Sequence, residues 1–293
     1  DRGDRQISLK PEGTAGVIRS FIENKMYADT QPTKLYYITP CFRYERPQAG
    51  RQRQFHQFGI EVLGSDGPSV DAEVISLAVQ FFNEMGLKNL SVNINSVGCP
   101  TCREEYNRKL KEYLDKKVDV LCETCLERKD KNPMRVIDCK NPHCKENLQD
   151  IPFMIDHLCD DCKEHFEKLQ TYLKEMDINY VVDKTIVRGL DYYKKTAFEI
   201  ISNDIGSQST VCGGGRYDGL VEMLGGPKGI SGIGFGLGVE RLLLTLENNN
   251  IEIENPKSTD IYIATIGDAA KTKSFKLIKD LRSNHISADN DHL

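Results

Sequence analysis

The segment CFRYERPQAGRQRQFHQFGIEVLG, residues 41–64, has the period-two alternation of a β-hairpin. Pro47 and Gly50 predict a turn over residues 46–51. One face of the second strand carries His56, Phe58, Ile60 and Val62, and the last three of these should face a core. The opposite face gathers Arg43 and Glu45 from the first strand with Phe55, Gln57 and Glu61 from the second. Such charges form either a solvated face with ion pairs or a ligand-binding face.

The composition limits the classes of protein to consider. With 293 residues, the chain can bury a substantial core and should hold about two domains. A net charge of −5 excludes a generally basic nucleic-acid binder, so any RNA contact would use local patches. Because no apolar run approaches the roughly 18 residues of a membrane span and no signal peptide starts the chain, we expect a soluble, cytoplasmic protein with no membrane contact. The ten cysteines should then be reduced thiols or metal ligands.

The segments on either side of the hairpin have the patterns of a scaffold. Residues 8–16 predict a loop, with Thr14 as the N-cap of a helix that places Val17, Ile18, Phe21 and Ile22 on one face. Residues 36–38 predict a short strand. After the hairpin, a helix ended by Gly86 should turn inward the residues Val74, Leu77, Ala78, Phe81, Phe82 and Met85. Residues 90–95 then alternate as a half-buried strand.

Residues 98–179 differ from the rest of the chain. They are richer in lysine, glutamate and cysteine, and their apolar residues fall at helical spacings. We therefore predict a mostly helical insertion. Its basic residues are matched by acids, so composition makes only a weak case for contact with RNA.

Three further motifs follow the insertion. IVRGLDYY, residues 186–193, precedes a predicted strand, and GGGRYDGL, residues 213–220, holds glycines that let a backbone pass close to a ligand or that form a flexible loop. GIGFGLGVERLL, residues 232–243, predicts a strand running into a helix that turns inward Val239, Leu242, Leu243 and Leu246. After a polar linker over residues 248–258, residues 260–267 predict a buried strand, and a helix follows with Phe275, Leu277, Ile278 and Leu281.

These motifs together resemble those of histidyl-tRNA synthetases, a family of class II aminoacyl-tRNA synthetases. FRYERP with RQFHQ and the acidic Glu61 resembles motif 2, and GFGLGVERLL resembles motif 3. PEGT at residues 11–14, RGLDYY and GGGRYDGL are similar to the segments with which the family binds histidine. The motifs occur in the family's order and span nearly the whole chain. The resemblance implies an α+β fold in which an antiparallel sheet is flanked by helices.

The resemblance also implies a division into domains. Residues 1–97 would be the first part of the catalytic core, residues 98–179 the helical insertion domain, and residues 180–250 the second part of the core. Residues 258–293 would begin an α/β anticodon-binding domain. Because motif 1 and the rest of that domain are not in the sequence, we expect a piece of a longer protein that forms a homodimer through regions partly missing here.

The implied activity is an ATP-dependent ligase that activates histidine to histidyl-adenylate and transfers it to the 3′ end of tRNA-His. Activation brings two anions together, because the histidine carboxylate attacks the α-phosphate of ATP, so the site needs fixed cations. Arginine suits this role, being always ionised and able to bond phosphate bidentately. By resemblance, Arg43 and Arg188 are the catalytic residues. Mg²⁺ would bridge the phosphates.

The resemblance also assigns the binding residues. Those for ATP would be Arg43, Glu45, Phe55 and Arg241, with Phe55 and Arg241 on either side of the adenine. Those for L-histidine would be Glu12, Gly13, Thr14, Gln57, Glu61, Tyr192 and Tyr193. Selecting histidine requires that both ring nitrogens be bonded, and Glu61 and Tyr193 can serve them.

Two alternatives remain at the level of sequence. The first is a non-catalytic paralogue that holds histidine to regulate its biosynthesis; it shares the core but tends to lose the arginines, which stand here. The second is a zinc-containing nucleic-acid module, which the CxxC pairs alone suggest.

Eight of the ten cysteines lie in the insertion, as the pairs Cys99/Cys102, Cys122/Cys125, Cys139/Cys144 and Cys159/Cys162. Four such pairs can build up to two tetrahedral Cys₄ zinc sites. The resemblance supplies no metal there. Structural Zn²⁺, partly redundant thiols and disulfides formed in air therefore stay open.

Overall fold

The computed structural model of the chain describes residues 3, 7–190, 192–202, 210–253 and 259–291. These residues form two compact units, Asp1–Ile251 and Glu252–Leu293. Asp191 of the RGLDYY motif and residues 254–258 of the predicted linker lie outside the described residues. Among those described, no helix is both long and apolar enough to cross a membrane.

A seven-stranded, mostly antiparallel sheet is the centre of the first unit, as predicted. Its strands are β1 (Thr33–Phe42), β2 (Gln54–Leu63), β3 (Leu90–Ser96), β4 (Tyr180–Val182), β5 (Lys194–Ser202), β6 (Thr210–Arg216) and β7 (Gly232–Gly238). They lie in the order β1-β2-β7-β6-β5-β3-β4, and only the pair β3–β4 is parallel. This order places motif 2 on β2 directly beside motif 3 on β7, although almost 170 residues separate them in the chain.

Helices flank the sheet of the first unit. They are α1 (Thr14–Glu23), α2 (Pro68–Glu84), α3 (Pro100–Asp115), α4 (Glu123–Lys131), α5 (Pro142–Asn147), α6 (Asp160–Glu175), α7 (Leu220–Met223) and α8 (Val239–Asn248). Single 3₁₀ turns occur at Met26–Ala28, Val118–Val120, Pro133–Val136 and Met154–His157. Between β3 and β4 every described helical segment belongs to the predicted insertion, so residues 98–179 are mostly helical, as the spacing of their apolar residues indicates.

The second unit is small. Strand β8 (Ile261–Ile263) pairs in parallel with β9 (Ala288–Asn290), and α9 (Asp268–Ser283) connects them. The prediction of a long buried strand over residues 260–267 was wrong, because β8 has three residues and its Ile261 and Tyr262 are exposed. Phe275 and Leu277 of α9 are exposed as well, and Ile278 is the buried residue of that predicted face.

One face of the sheet packs on α2, α6 and α8 to form the main core. From the sheet, Ile60, Val62, Phe198 and Phe235 meet Phe82 of α2 and other buried residues there. Burying a side chain of this size stabilises the fold by roughly 1.5–3 kcal/mol. The alternation along β2 therefore predicted its core face correctly. Three predicted core positions on the helices are exposed instead, namely Leu77, Met85 and Leu243.

The hairpin differs from the prediction at its tip. The last paired residues are Phe42 and Gln54, so Arg43 and Glu45 follow β1 rather than lying on it. The connection is held by an isolated bridge between Gln48 and Arg51, with Gly50 at a φ of +68° that favours glycine. Arg43 thereby lies on a loop between two strands and not on the sheet face.

A buried polar network ties α2 to the sheet. Asp71 of α2 accepts hydrogen bonds from the guanidinium of Arg216 on β6 and from Thr196 on β5, and lies 2.8 Å from His165 Nε2 of α6. The Asp71 and Arg216 side chains have no solvent exposure. Burial opposes ionisation, but the contacts with His165 and Arg216 hold the pKa of Asp71 below its ordinary value. This network joins four elements through one carboxylate.

We expect Asp71→Asn to lower the free energy of unfolding by about 3–5 kcal/mol, because it removes the buried counter-charge of Arg216 and leaves that guanidinium with only the partly exposed Asp218. Urea unfolding followed by circular dichroism measures the loss. Glu73→Gln is the matched control on the same helix: Glu73 pairs with Lys34 at the surface, and its loss should cost less than about 1 kcal/mol. Equal effects of the two substitutions would contradict the importance of the buried network.

Candidate active site

A cavity, partly open to solvent, lies over the face of the sheet opposite the main core. It lies where β2, β7 and β6 are neighbours, and α1 and residues 186–193 contribute to its walls. The cavity contains side chains from the hairpin and from the PEGT, RGLDYY, GGGRYDGL and GFGLGVERLL motifs. The polar face of the hairpin is therefore not a solvated surface.

All of the predicted site residues except Gly13 line this cavity. They are Glu12, Thr14, Arg43, Glu45, Phe55, Gln57, Glu61, Arg188, Tyr192, Tyr193 and Arg241. Gly13 lies directly beside it, because its backbone N–H donates to Gln57 Oε1 at 3.0 Å. The structure brings the predicted residues together, and their individual roles stay predictions.

Three glycines make room for these side chains. A Cβ atom at Gly234 of β7 would overlap the carboxylate of Glu61, and one at Gly236 would lie 2.8 Å from Gln57 Nε2. A Cβ at Gly213 of β6 would lie 2.6 Å from the Arg188 guanidinium. The three consecutive glycines of GGGRYDGL, residues 213–215, belong to a paired strand and not to a flexible loop. Their function here is to let long polar side chains lie flat on the sheet.

Glu61 is the most deeply buried acid of the cavity, with 1% exposure. Its carboxylate accepts hydrogen bonds from Thr14 Oγ1 at 2.7 Å and from Tyr217 Oη at 2.5 Å. Burial raises the pKa of Glu61 to about 8, although both hydrogen bonds act in the opposite direction. The carboxyl can therefore hold or release a proton near neutral pH.

The PEGT segment shapes the entrance of α1. Thr14 was predicted as the N-cap, but Gly13 occupies that position and Thr14 is the first residue of the helix. The Glu12 carboxylate instead accepts from the backbone N–H groups of Thr14 and Ala15, at 2.8 and 2.9 Å. Because Glu12 performs the capping, the hydroxyl of Thr14 is released to bind Glu61.

Arg188 and the two tyrosines after it form one wall. The guanidinium of Arg188 lies 2.8 Å from Glu199 Oε1 and 5.2 Å from the centre of the Tyr193 ring. Burial opposes its charge, but Tyr193 and Glu199 raise the pKa of Arg188 above its ordinary value. Its Nε is buried and has no hydrogen-bond partner among the residues that the structure describes. This wall presents a permanent cation to the cavity.

A second group of cations lies near the hairpin tip. Arg241 of α8 donates to the carbonyl of Gly50 at 3.0 and 3.1 Å and to that of Thr210 at 2.6 Å. Burial and the nearby Arg51 lower the pKa of Arg241, which stays ionised as arginine does. Arg43 donates to Pro11 O at 2.8 Å and lies over the Phe55 ring at 5.0 Å. We call Arg43, Arg51 and Arg241 the arginine group.

Several residues of the site, among them Tyr37, Tyr217 and Glu240, were not predicted from the sequence. Tyr217 donates to Glu61, Tyr37 contacts both Thr14 and Glu61, and Glu240 accepts from the backbone N–H of His56 at 2.9 Å. Tyr217 lies within the quoted GGGRYDGL motif, so its position was available. Tyr37 had only the alternation of β1 as a signal, and its ring occupies the space that a side chain at Gly59 would take.

The cavity thus joins two chemistries. A buried acid surrounded by neutral hydroxyls can bond both nitrogens of a small heterocycle. The arginine group and Arg188 can neutralise an anion such as a polyphosphate beside it. The aromatic ring of Phe55 next to Arg241 and Arg43 offers a stacking surface for a planar base.

Comparisons with known proteins agree with this geometry. The sequence profile of histidyl-tRNA synthetases matches residues 1–242. A histidine–tRNA ligase from Clostridioides difficile (strain 630) is 80% identical over all 293 residues, and the chain covers 70% of that protein. One from Caldanaerobacter subterraneus subsp. tengcongensis is 57% identical over the same length and with the same coverage.

A solved structure is similar over the whole chain. The crystal structure of apo S. aureus histidyl-tRNA synthetase has 43% sequence identity and a TM-score of 0.82, with coverage of 100% of this chain and 71% of that one. The alignment with that structure covers the sheet, the helices and the insertion. The chain belongs to the histidyl-tRNA synthetase family.

Proposed function

We propose that the protein is an ATP-dependent histidine–tRNA ligase, which makes histidyl-adenylate and transfers the histidine to the 3′ end of tRNA-His. The observation that carries the proposal is one cavity in which the buried Glu61 lies beside the arginine group and Arg188. The high identity to histidine–tRNA ligases over the full chain supports the same activity.

Histidine would bind at the Glu61 end of the cavity. Glu61 and the hydroxyl of Tyr193 would each bond one ring nitrogen, and Tyr192 would line the same pocket. Burial raises the pKa of Tyr193, so its hydroxyl stays a neutral donor. Glu12, Thr14 and Gln57 would orient the amino and carboxylate ends, with Gly13 fixing Gln57 through its N–H. A wrong amino acid would leave Glu61 buried without a partner, which gives strong discrimination.

ATP would bind at the arginine group. Phe55 and Arg241 would lie on either side of the adenine, and Glu45 would accept from its exocyclic amine. Arg51 lies 2.7 Å from the Glu45 carboxylate, which keeps that side chain in place. The carboxylate of Glu240 also lines the cavity and is an oxygen donor of the type that Mg²⁺ prefers. When bound, Mg²⁺ would neutralise charge on the phosphates.

In the first step, a carboxylate oxygen of histidine attacks the α-phosphorus of ATP and pyrophosphate leaves. Negative charge gathers on the non-bridging oxygens, and Arg43 and Arg188 would stabilise it. Because both arginines are held by protein contacts before the substrates arrive, little reorganisation is needed during the reaction. In the second step, a terminal ribose hydroxyl of the tRNA attacks the histidyl carbonyl and AMP leaves.

The domain division predicted from the sequence is part of this proposal. Residues 1–97 and 180–250 would form the catalytic core, residues 98–179 an insertion domain, and residues 258–293 the start of an anticodon-binding domain. We also propose that the protein acts as a homodimer, as its resemblance to class II synthetases implies. Sedimentation of the full-length protein measures this directly.

The runner-up function, a non-catalytic histidine-binding regulator, needs no phosphate site. The arginine group and Arg188 argue against it, because three or more cations around one cavity suit a polyphosphate rather than a single carboxylate. Histidine-dependent exchange of labelled pyrophosphate into ATP by the full-length protein separates the two functions. We expect exchange that needs both histidine and Mg²⁺. Histidine binding without any exchange would support the regulator instead.

We expect Arg188→Ala to slow histidine adenylation by at least about 100-fold with little change in histidine affinity, since it removes a charge that matters most in the transition state. Single-turnover formation of the adenylate measures the rate. Arg19→Ala is the control, because Arg19 is exposed on α1 and pairs only with Glu23 in the described contacts. A rate within a few-fold of wild type would remove Arg188 from the mechanism.

Glu61→Gln should weaken histidine binding by at least about tenfold while changing ATP binding by less than about twofold. The amide still accepts a hydrogen bond but loses the charge that favours a donor-bearing or protonated imidazole. Calorimetry with each substrate measures both affinities. If histidine affinity is unchanged, the assignment of the pocket is wrong.

The same variant tests a pH dependence. We expect the bound state to share one proton between the Glu61 carboxyl, whose pKa burial raises to about 8, and the imidazole, which ionises near pH ~6.5 when free. Above about pH 8 the free carboxylate must take up that proton, and below about pH 6.5 the free imidazolium must release one, so wild-type affinity should be highest in between. With Glu61→Gln, the decrease in histidine affinity at alkaline pH should be smaller than with wild type, because the part due to ionisation of Glu61 is lost. The α-amino group of histidine titrates equally with both proteins. If wild type and variant lose histidine affinity equally at alkaline pH, the shared proton is contradicted.

A further inference from the structure

The eight cysteines of residues 98–179 lie in two clusters of four. The first cluster is Cys99, Cys102, Cys159 and Cys162, and the second cluster is Cys122, Cys125, Cys139 and Cys144. Within each cluster the four sulfur atoms lie within 4.8 Å of one another. In the first, two CxxC pairs that are 60 residues apart in the chain meet at one point.

The distances between the sulfur atoms distinguish a metal site from disulfides. They are 3.5 Å for Cys99–Cys102, 3.8 Å for Cys99–Cys159 and 3.7 Å for Cys102–Cys162. In the second cluster Cys122 and Cys139 are 3.9 Å apart. A disulfide needs about 2.05 Å. Four sulfurs at a Zn–S distance of about 2.3 Å form a tetrahedron with edges of about 3.8 Å, which agrees with the observed separations.

Local structure prepares the thiols to bind a cation. Cys99, Cys122 and Cys159 are the N-cap residues of α3, α4 and α6. Helix N-termini favour thiolates, because the helix dipole and free N–H groups stabilise negative charge. Backbone N–H groups also point at sulfur: Cys99 N donates to Cys102 Sγ at 3.1 Å, and Cys122 N to Cys144 Sγ at 3.2 Å.

The packing of the insertion supplies an independent reason for metal. Its buried core holds thirteen residues, and five of them are cysteines: Cys102, Cys125, Cys139, Cys144 and Cys162. Each thiol buries less apolar surface than the leucine or isoleucine usual in a core. A region with so few aliphatic residues gains folding free energy when its thiolates bind a metal ion.

We propose that each cluster binds one Zn²⁺ through four cysteine thiolates, so that the chain carries two structural zinc sites. Zinc is favoured because four sulfur ligands in a tetrahedron suit Zn²⁺, with iron as the other metal of this geometry. Four protein ligands leave no open position, so the sites are structural and take no part in the adenylation chemistry. This inference does not rest on the proposed function, since metal content is measured without any substrate.

The two sites would hold the parts of the insertion that contact the active-site wall. Arg103 follows the first cluster on α3 and donates to Val97 O at 2.7 Å and to the carbonyl of Tyr193. Arg135 lies between Cys125 and Cys139 of the second cluster and donates to the carbonyl of Arg188 at 3.3 Å. Each cluster therefore anchors a segment whose arginine fixes the backbone of a predicted site residue.

Elemental analysis of the full-length protein, purified without chelator from zinc-containing medium, tests the proposal. We expect about two zinc ions per chain. The pair Cys102→Ser/Cys162→Ser should lose one ion and Cys125→Ser/Cys144→Ser the other. Cys41→Ala/Cys212→Ala, the two cysteines outside the clusters, is the control and should keep both ions.

A second measurement uses the wild-type chain and does not depend on variants that fold. Zinc is removed with a chelator under reducing conditions, and Co²⁺ is titrated in. We expect the visible bands of tetrahedral Co²⁺–thiolate to saturate at two equivalents, and limited proteolysis within residues 98–179 to slow when Zn²⁺, but not Mg²⁺, is restored.

Three results would overturn the proposal. They are a metal content well below one per chain with no tetrahedral cobalt spectrum, the eight cysteines found as four disulfides in fresh protein, or iron in place of zinc. If the wild-type chain holds a single zinc ion and only one of the two cysteine-pair variants loses it, the cluster altered in the other variant is not a zinc site.

Discussion

The close approach of β2 side chains to the backbone of β7 is the constraint on which the site depends. Glu61 and Gln57 extend across the sheet at the level of Gly234 and Gly236, where any side chain on β7 would occupy the same space. Gly213 gives Arg188 the same room on β6. Without these glycines the long polar side chains would be pushed out toward solvent. The cavity exists because the central strands of the sheet carry glycines at these positions instead of residues with side chains.

Burial then gives the polar groups their chemistry. Glu61 is ordered by Thr14 and Tyr217, and its desolvation moves its pKa toward neutrality. Arg188 is only partly buried and is paired with Glu199, so it keeps its charge. A single cavity therefore holds an acid poised near neutral pH and a permanent cation. Desolvation disfavours the charged form of both groups. Their different partners determine that the Glu61 carboxyl can be neutral while the Arg188 guanidinium stays charged.

The insertion is coupled to this wall by arginine side chains that donate hydrogen bonds to backbone carbonyls. Arg103 and Arg135 reach the carbonyls of Tyr193 and Arg188, the last and first residues of the RGLDYY motif. Two four-cysteine clusters fix the segments on which these arginines lie. The stability of residues 98–179 is thus tied to the geometry of the cavity wall, although the two regions differ in composition and packing.

Alternation in the sequence by itself predicted the core face of β2, because it records which side of a strand is buried. The resemblance of the local motifs to those of histidyl-tRNA synthetases predicted the α+β class and the residues that gather in the cavity. Only the tertiary structure decided that Arg43 lies on a loop, that Gly13 rather than Thr14 occupies the N-cap position of α1, and that Tyr37 and Tyr217 complete the pocket. It also decided how the four cysteine pairs combine, 99/102 with 159/162 and 122/125 with 139/144. The physical reason is that such contacts join residues tens of positions apart, and a local pattern cannot specify which distant backbone or side chain will fill the space beside it.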